Sequence, residues 1–529
     1  MPSEPAPARV PAGRRWAAPL LALLLGIVLV TAYDQALSDR RYPYSGDSAS
    51  YIDMAVSLRS VGRPLVTPFG LEFPEREAVP QPLFPPGFAM LIAAFVPLTG
   101  DAASAALLPS RVAAALLPLL ILVLFRGLAS DTALLGLGGW VLLGPGLREW
   151  HYLAYSDVAC LALAVCACGA LLRGLAAGAA ARVRWLLLAG FGAGGCYALR
   201  NAALALLATV AATLLYEAWR DRGTRRAAAA WLAGLVAPLA ALFAYNLHTF
   251  GALQPYAMPP STRPWTVNLG DWAVAQLTDL DLSTRLAAML TPSVALLLAA
   301  LLVAGGALLF WRTRDRPDAH RAVTLLGGYA AAGAMLLVAS RSRYEWGDTI
   351  GSRHALQYSW ALGLVAVLGW RALAPSRLAT VGRILAACLL LVGVAQTVIE
   401  VAAARRAGAE SWLDLTHDEP LMREVRTLPG DALIASNAAA LFRIGSGRRV
   451  RQIDTGGDDP AFAGSLLLLR HAAGRRRGAF LLVCDEWTGG YSACATPPRS
   501  GGPPCRRLRS KQPAVALCEA ADENGLHPG

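Results

Sequence analysis

The sequence predicts a polytopic α-helical membrane protein carrying a small external α/β domain, and three observations predict it. Apolar residues make up 55% of the 529 and mean hydropathy is +0.44, a composition outside the range of soluble globular chains. Apolar runs recur as far as Ala402, most of them near the roughly 20 residues a helix needs to cross about 30 Å of hydrocarbon. The arginines gather in short segments between those runs, as orientation signals beside a membrane do. That placement accounts for the net charge of +12 without a nucleic-acid partner, which would call for a basic face or stripe.

Taken in order, residues 1–15 read as a disordered cytoplasmic tail, Pro- and Ala-rich from Pro2 to Pro11. Trp16–Leu37 reads as a retained first span, because its apolar part exceeds the roughly 7 to 15 residues of a cleavable signal. Further runs cover Ala106–Phe125, Thr132–Pro145, Leu153–Leu172, Leu186–Tyr216, Ala227–Tyr245, Leu286–Phe310, Ala322–Ala339, Ala355–Leu373 and Ile384–Ala402. Arg126 and the Arg173–Arg184, Arg220–Arg226, Arg312–Arg321 and Arg371–Arg383 segments mark the cytoplasmic side. Leu186–Tyr216 then enters and leaves on one side, so it reads as two short helices meeting near Arg200 and Asn201. The count is about eleven spans, with the C-terminal part outside. The spanning module is residues 16–402, with a large first external loop at 38–105. Pro86–Leu98 within that loop is too short to cross and reads as interfacial or re-entrant.

Residues 403–529 read as the external α/β domain. Ala432–Ala435, Ala479–Val483 and Ala514–Leu517 are strand-like, and Phe462–His471 is helical. Cys484, Cys494, Cys505 and Cys518 lie here, an even number in a compartment where disulfides persist, with no CxxC spacing of a zinc site. Two disulfides are expected, of undetermined connectivity. Cys160, Cys166, Cys168, Cys196 and Cys388 fall in spans, where cysteine serves as a small apolar residue.

Ionisable residues cluster at the outer ends of the spans. No GxxxxGK[ST], HExxH or GxSxG occurs, which sets aside phosphate-loop ATPases, zinc proteases and serine hydrolases. The glycines at 190, 192, 194 and 195 suit helix packing better than a nucleotide loop. Asp47, in Gly-Asp-Ser before a helical pattern, is a good helix-start residue and equally a carboxylate able to take a proton from a hydroxyl; the two roles are compatible. Asp53 reads as a solvated helix face. Glu72, Glu75 and Glu77 form an acidic loop cluster that reads as mainly solvated. Tyr51 either lines a site or packs at the membrane surface. Asp157 stands at a span end, interfacial or facing the bundle interior. Arg200 and Arg353 offer permanent charge and bidentate geometry for phosphate oxygens, or anchor span ends by snorkelling. Arg343, Tyr344 and His354 lie close by in sequence.

Five stretches in order, GDSASYIDMA (Gly46–Ala55), FPPGFAMLIA (Phe84–Ala93), YSDVACLAL (Tyr155–Leu163), GCYALRNAALAL (Gly195–Leu206) and GSRHALQY (Gly351–Tyr358), resemble the GT-C superfamily of membrane glycosyltransferases. That superfamily includes protein O-mannosyltransferases and bacterial aminoarabinose transferases. The external segment Leu428–Val450 is similar to the domains that follow the spans in many such enzymes. The resemblance implies a GT-C architecture in the cell membrane with the active site on the external side. It implies a sugar donor on polyprenyl phosphate and an acceptor hydroxyl on an unidentified glycan, lipid or protein. Asp47 is then the catalytic base or its neighbour, and the reaction inverts. Arg353 and Arg200 bind the donor phosphate, and Asp157 serves the cavity or a metal, although many relatives have Glu there. Tyr51, Glu77, Arg343, Tyr344 and His354 are supporting candidates. Some relatives use a divalent metal, and the acidic loop offers ligands for one. The alternatives are a transporter or lipid-binding assembly factor, or a ligase or polymerase of lipid-linked oligosaccharides. Against the transporter stand the lack of an internal repeat and ionisable residues at outer boundaries instead of mid-membrane.

Overall fold

The computed structural model describes residues 12–37, 46–66, 78–255, 258–280, 291–345, 350–373, 376–407, 419–428, 433–436, 439–448, 450–452, 478–484, 505–508 and 514–520. The chain divides into two compact units. One comprises Met1–Gln35, Pro82–Phe88 and Pro109–Glu400; the other comprises Ala36–Gln81, Ala89–Leu108 and Val401–Gly529. Most of the loop at 38–105 thus belongs to the same unit as the C-terminal domain, while Pro82–Phe88 belongs to the larger one.

Over its described residues, each apolar run read as a span contains a helix, and Leu286–Leu290 lies outside the described residues. These helices are α1 (Ala12–Leu37), α4 (Ala102–Phe125), α5 (Asp131–Leu143), α7 (Asp157–Ala176), α8 (Ala179–Leu199), α9 (Leu204–Arg220), α10 (Arg222–Phe250), α12 (Pro292–Thr313), α13 (Pro317–Arg343), α14 (Ser352–Leu373) and α15 (Ser376–Ala407). Two helices occupy the loop, α2 (Gly46–Val61) and α3 (Gly87–Thr99), and two more the outer connections, α6 (Pro145–Trp150) and α11 (Trp265–Asp279). Among the described residues, 6 helical segments are long and apolar enough to cross a membrane, and Gly87–Thr99, Asp131–Leu143, Ala299–Thr313 and Ala387–Ala403 are shorter apolar helices. Leu20, Leu24, Leu301, Val303, Leu391 and Val398 are exposed on these helices. Apolar faces of that extent are stable only against lipid. The helices are those of a multi-pass membrane protein.

In the larger unit, α7, α8 and α10 pack closely. A Cβ on Gly190 would lie 2.0 Å from the Trp231 carbonyl oxygen, and one on Gly234 would lie 2.1 Å from that of Leu187. Only glycine allows this approach, which identifies the glycine-rich run as a helix-packing surface. The break between α8 and α9 falls at Arg200, whose φ of −157° ends the helix before a short 3-10 turn, Asn201–Ala203. The arginine-rich turns meet at one end of the bundle. Arg173 donates to the Arg126 carbonyl, Arg182 pairs with Asp221 at 2.9 Å, Arg321 grips Glu217 at 3.0 and 3.1 Å, and Arg371 donates to the Leu128 carbonyl. The alternate connections therefore gather at the other end.

In the smaller unit, α16 (Glu419–Thr427) and α17 (Ala439–Ser446) accompany a five-stranded sheet. Its strands are β3 (Leu433–Ser436), β4 (Val450–Gln452), β5 (Gly478–Cys484), β6 (Cys505–Leu508) and β7 (Ala514–Ala520), in the order β4-β3-β5-β7-β6. β3 pairs in parallel with β4 and β5, while β7 runs antiparallel to β5 and β6. The three apolar strands match the sequence expectation. β4 and β6 are short, polar and at the edges, where an apolar run is not required. Phe462–His471 and Cys494 lie outside the described residues. β1 (Leu65–Val66) and β2 (Val79–Pro80) form a small antiparallel pair in the loop.

Candidate active site

The larger unit carries a buried charge cluster at the bundle end opposite the arginine-rich turns. Asp157 is the first residue of α7, where its carboxylate meets the positive end of the helix dipole. It is fully buried. One oxygen pairs with Arg200 Nη1, and the other accepts from Arg353 Nε at 3.1 Å. The two arginines come from the α8–α9 break and the second residue of α14, and both are nearly buried, with 15% and 12% of their side chains exposed. Gln357, one turn further along α14, donates to the Asp157 carbonyl at 2.8 Å.

An aromatic cage sets the Arg353 guanidinium. It lies 4.3 Å from the Tyr155 ring centre and 5.4 Å from that of Trp150, and these two rings meet edge to face. Stacking of this kind suits guanidinium and not ammonium. Trp150 Nε1 donates to Ser352 Oγ at 3.2 Å, and Ser352 Oγ donates to Glu149 Oε2 at 2.7 Å, tying α6 to the start of α14. Beside Arg353, His354 is buried and its Nδ1 accepts from Gly351 N at 3.4 Å, which puts the proton of a neutral ring on Nε2. Two guanidiniums thus share the single Asp157 carboxylate.

Helix α6 is itself fixed from several directions. Asp279, at the end of α11, accepts from Gly146 N at 2.6 Å. Arg148, 2% exposed, donates to Thr397 and Glu400 of α15, both at 3.0 Å. Tyr33 of α1 donates to the other Glu400 oxygen at 3.4 Å. Asp34 of α1 lies 2.9 Å from Arg111 of α4 and 3.3 Å from His151 Nε2. This second network escaped the sequence reading. Its available signal was the ionisable residues inside or beside apolar runs, Asp34, Arg111, Arg148 and Glu400, each costly unless paired. Trp150, Tyr155 and Gln357 carried no comparable signal.

The FPPG stretch also reaches this end. A Cβ on Gly87 would lie 2.3 Å from the Ala198 carbonyl oxygen. Glycine therefore lets the loop close against the last turn of α8, two residues before Arg200.

Arg343 stacks on Tyr344, and residues 343–345 are hydrogen-bonded alongside 259–261 through Ser261 N to Arg343 O and Glu345 N to Pro259 O. In the smaller unit, Asp47 is the second residue of α2, in its first turn, and half-buried. Tyr51 is buried in that unit. Asp53 is not a solvated face as expected; it is ion-paired with Arg443 of α17. The pairing was invisible in sequence because its partner lies 390 residues away. Glu72, Glu75 and Glu77 lie outside the described residues. Among the described residues, no group of three or more His, Cys, Asp or Glu is placed to hold a metal ion.

No family description and no curated protein matches the chain. Solved structures do. ArnT from Cupriavidus metallidurans in the apo state superimposes with a TM-score of 0.59 at 13% identity, over 97% of this chain and 99% of that one. The same protein bound to undecaprenyl phosphate gives 0.59 at 14%, over 96% and 98%. The archaeal oligosaccharyltransferase AglB from Archaeoglobus fulgidus, in complex with an inhibitory peptide and a dolichol-phosphate, gives 0.56 at 11%, over 89% and 70%. The likeness at these identities is one of fold, and the fold is that of the GT-C membrane proteins.

Proposed function

We propose that this GT-C-folded chain is a membrane glycosyltransferase that moves a sugar from a polyprenyl-phosphate carrier to an acceptor hydroxyl at the outer face of the cell membrane. The observation that carries the reading is the pair of nearly buried arginines braced on the buried Asp157. The bundle end holding it is opposite the arginine-rich turns, which the charge rule assigns to the cytoplasm. In similar folds the bound ligands are undecaprenyl phosphate and dolichol-phosphate.

The chemistry follows from the groups present. As the acceptor oxygen attacks the anomeric carbon, the bond from that carbon to the phosphate oxygen breaks and polyprenyl phosphate leaves with the bonding pair. Charge grows on the phosphate, and Arg200 and Arg353, already oriented and partly desolvated, stabilise it. Asp157 is committed to both guanidiniums, so its role is to hold them in place; it is not the base. Asp47 takes the acceptor proton, and a single displacement inverts the anomeric centre.

The test is transfer of radiolabelled sugar from a panel of polyprenyl-phosphate sugars by protein in liposomes, with D47N alongside the wild type. Transfer by the wild type, lost in a folded D47N that still binds polyprenyl phosphate, is the expected result. A wild type that binds no polyprenyl phosphate sinks the reading and returns the transporter.

A further inference from the structure

Within the smaller unit, helix α2 is joined to the C-terminal domain by an ion pair. Helix α2 carries Asp47 in its first turn and Asp53 six residues on, about 240° further round at 100° per residue. The two carboxylates therefore leave the helix on different faces. Asp53 is ion-paired with Arg443, whose side chain is only 4% exposed while that of Asp53 is 24% exposed. A charge this deeply buried is costly without its partner, so the pair strongly favours one placement of α2. Arg443 is itself well fixed. Helix α17 buries Ala439 and Phe442 and packs on α16 and β4, and Arg426 of α16 donates to the Gly445 carbonyl at 2.8 Å. Arg448 donates to the Leu428 carbonyl at 2.7 Å. The rest of α2 is closely held, with Ser48, Ala49, Ser50, Tyr51, Met54 and Ala55 buried.

We propose that Arg443 is a positioning residue for Asp47: its ion pair with Asp53 sets the rotation and height of α2, so the C-terminal domain takes part in acceptor activation. The inference rests on the reading of Asp47 as the base. Arg443 touches no reacting atom and acts through the helix.

Two measurements test it, on full-length protein in liposomes, for R443Q, D53N, the double variant R443Q/D53N and R443K. Amide hydrogen exchange over residues 47–55 reads the hold on α2. Transfer kinetics read donor KM and kcat separately, with D47N as reference. In R443Q, exchange over 47–55 rises about tenfold or more, and kcat falls about 10- to 100-fold, the scale of an ångström-size misplacement. Donor KM stays within about threefold. D53N gives the same loss, the double variant adds little to either, as expected of one coupled pair, and R443K recovers most of kcat. Native exchange with native kcat in R443Q overturns the proposal. So does faster exchange throughout the unit with donor KM altered in step, the signature of a merely structural contact. If D47N retains full transfer, the base assignment fails, while the exchange over 47–55 still decides whether Arg443 holds the helix.

Discussion

Replacing Asp157 with Asn separates an anchoring role from a catalytic one. The carboxylate is fully buried and accepts from Arg353 at 3.1 Å while pairing with Arg200. An amide keeps a single oxygen acceptor and turns an N–H donor towards the second guanidinium, which is itself a donor only. Two nearly buried guanidiniums then lose the carboxylate they share. Removing one member of a buried ion pair costs about 3–5 kcal/mol, and the loss of a second charge-assisted bond keeps D157N towards the upper part of that range. The assay is thermal unfolding in detergent with and without undecaprenyl phosphate, beside transfer activity. D157N is expected to melt several degrees lower, and D157N/R200M to recover about 2 kcal/mol of the loss, because it restores one net positive charge. Wild-type melting in D157N, or a double variant less stable than the single, refutes the anchoring argument. Normal stability with transfer abolished would make Asp157 a catalytic group.

Three further outcomes follow from the geometry. R353M is expected to weaken polyprenyl-phosphate binding about 10- to 100-fold, for loss of a bidentate contact worth about 1.5–3 kcal/mol, and R353K to restore little because ammonium cannot reproduce the stack on Tyr155 and Trp150; binding by native mass spectrometry measures it. The Arg341 hydrogen bond holds the Glu345 carboxyl below its ordinary value of 4.5. A lowered acid stabilises the fold fully above that value and loses the contribution as pH falls through the lowered one, so melting of E345Q should fall less than that of the wild type on acidification below about pH 4.5. Cys505 and Cys518 are register partners across β6 and β7; opposed antiparallel residues have Cα atoms about 4.5–5.5 Å apart, within disulfide reach. A non-reducing digest should yield the 505–518 cross-linked peptide, and C505S should abolish it.

Much of the fold was legible because its determinants are local. An apolar run of spanning length states its own helix, whatever lies beyond it, and arginines between runs state their side without reference to tertiary packing. Leu186–Tyr216 shows how far this goes: the charge rule alone required two helices with a break near Arg200, and the structure breaks there. The apolar strands β3, β5 and β7 were readable for the same reason, whereas the polar edges β4 and β6 were not. Tyr51 and Asp53 were harder, because a side chain's environment on a loop helix depends on what packs against it.

The sequence by itself determined the class of molecule, the order of its apolar helices, and the pool of ionisable residues from which a site is drawn. Only the tertiary structure decided how that pool is partitioned. Asp157 and its two arginines are 43 and 196 residues apart, Tyr33 and Glu400 are 367 apart, and Asp53 and Arg443 are 390 apart. No local preference encodes such pairings. They arise because a charge buried in low dielectric must find its opposite wherever packing brings one, and packing is a property of the assembled helices rather than of any segment.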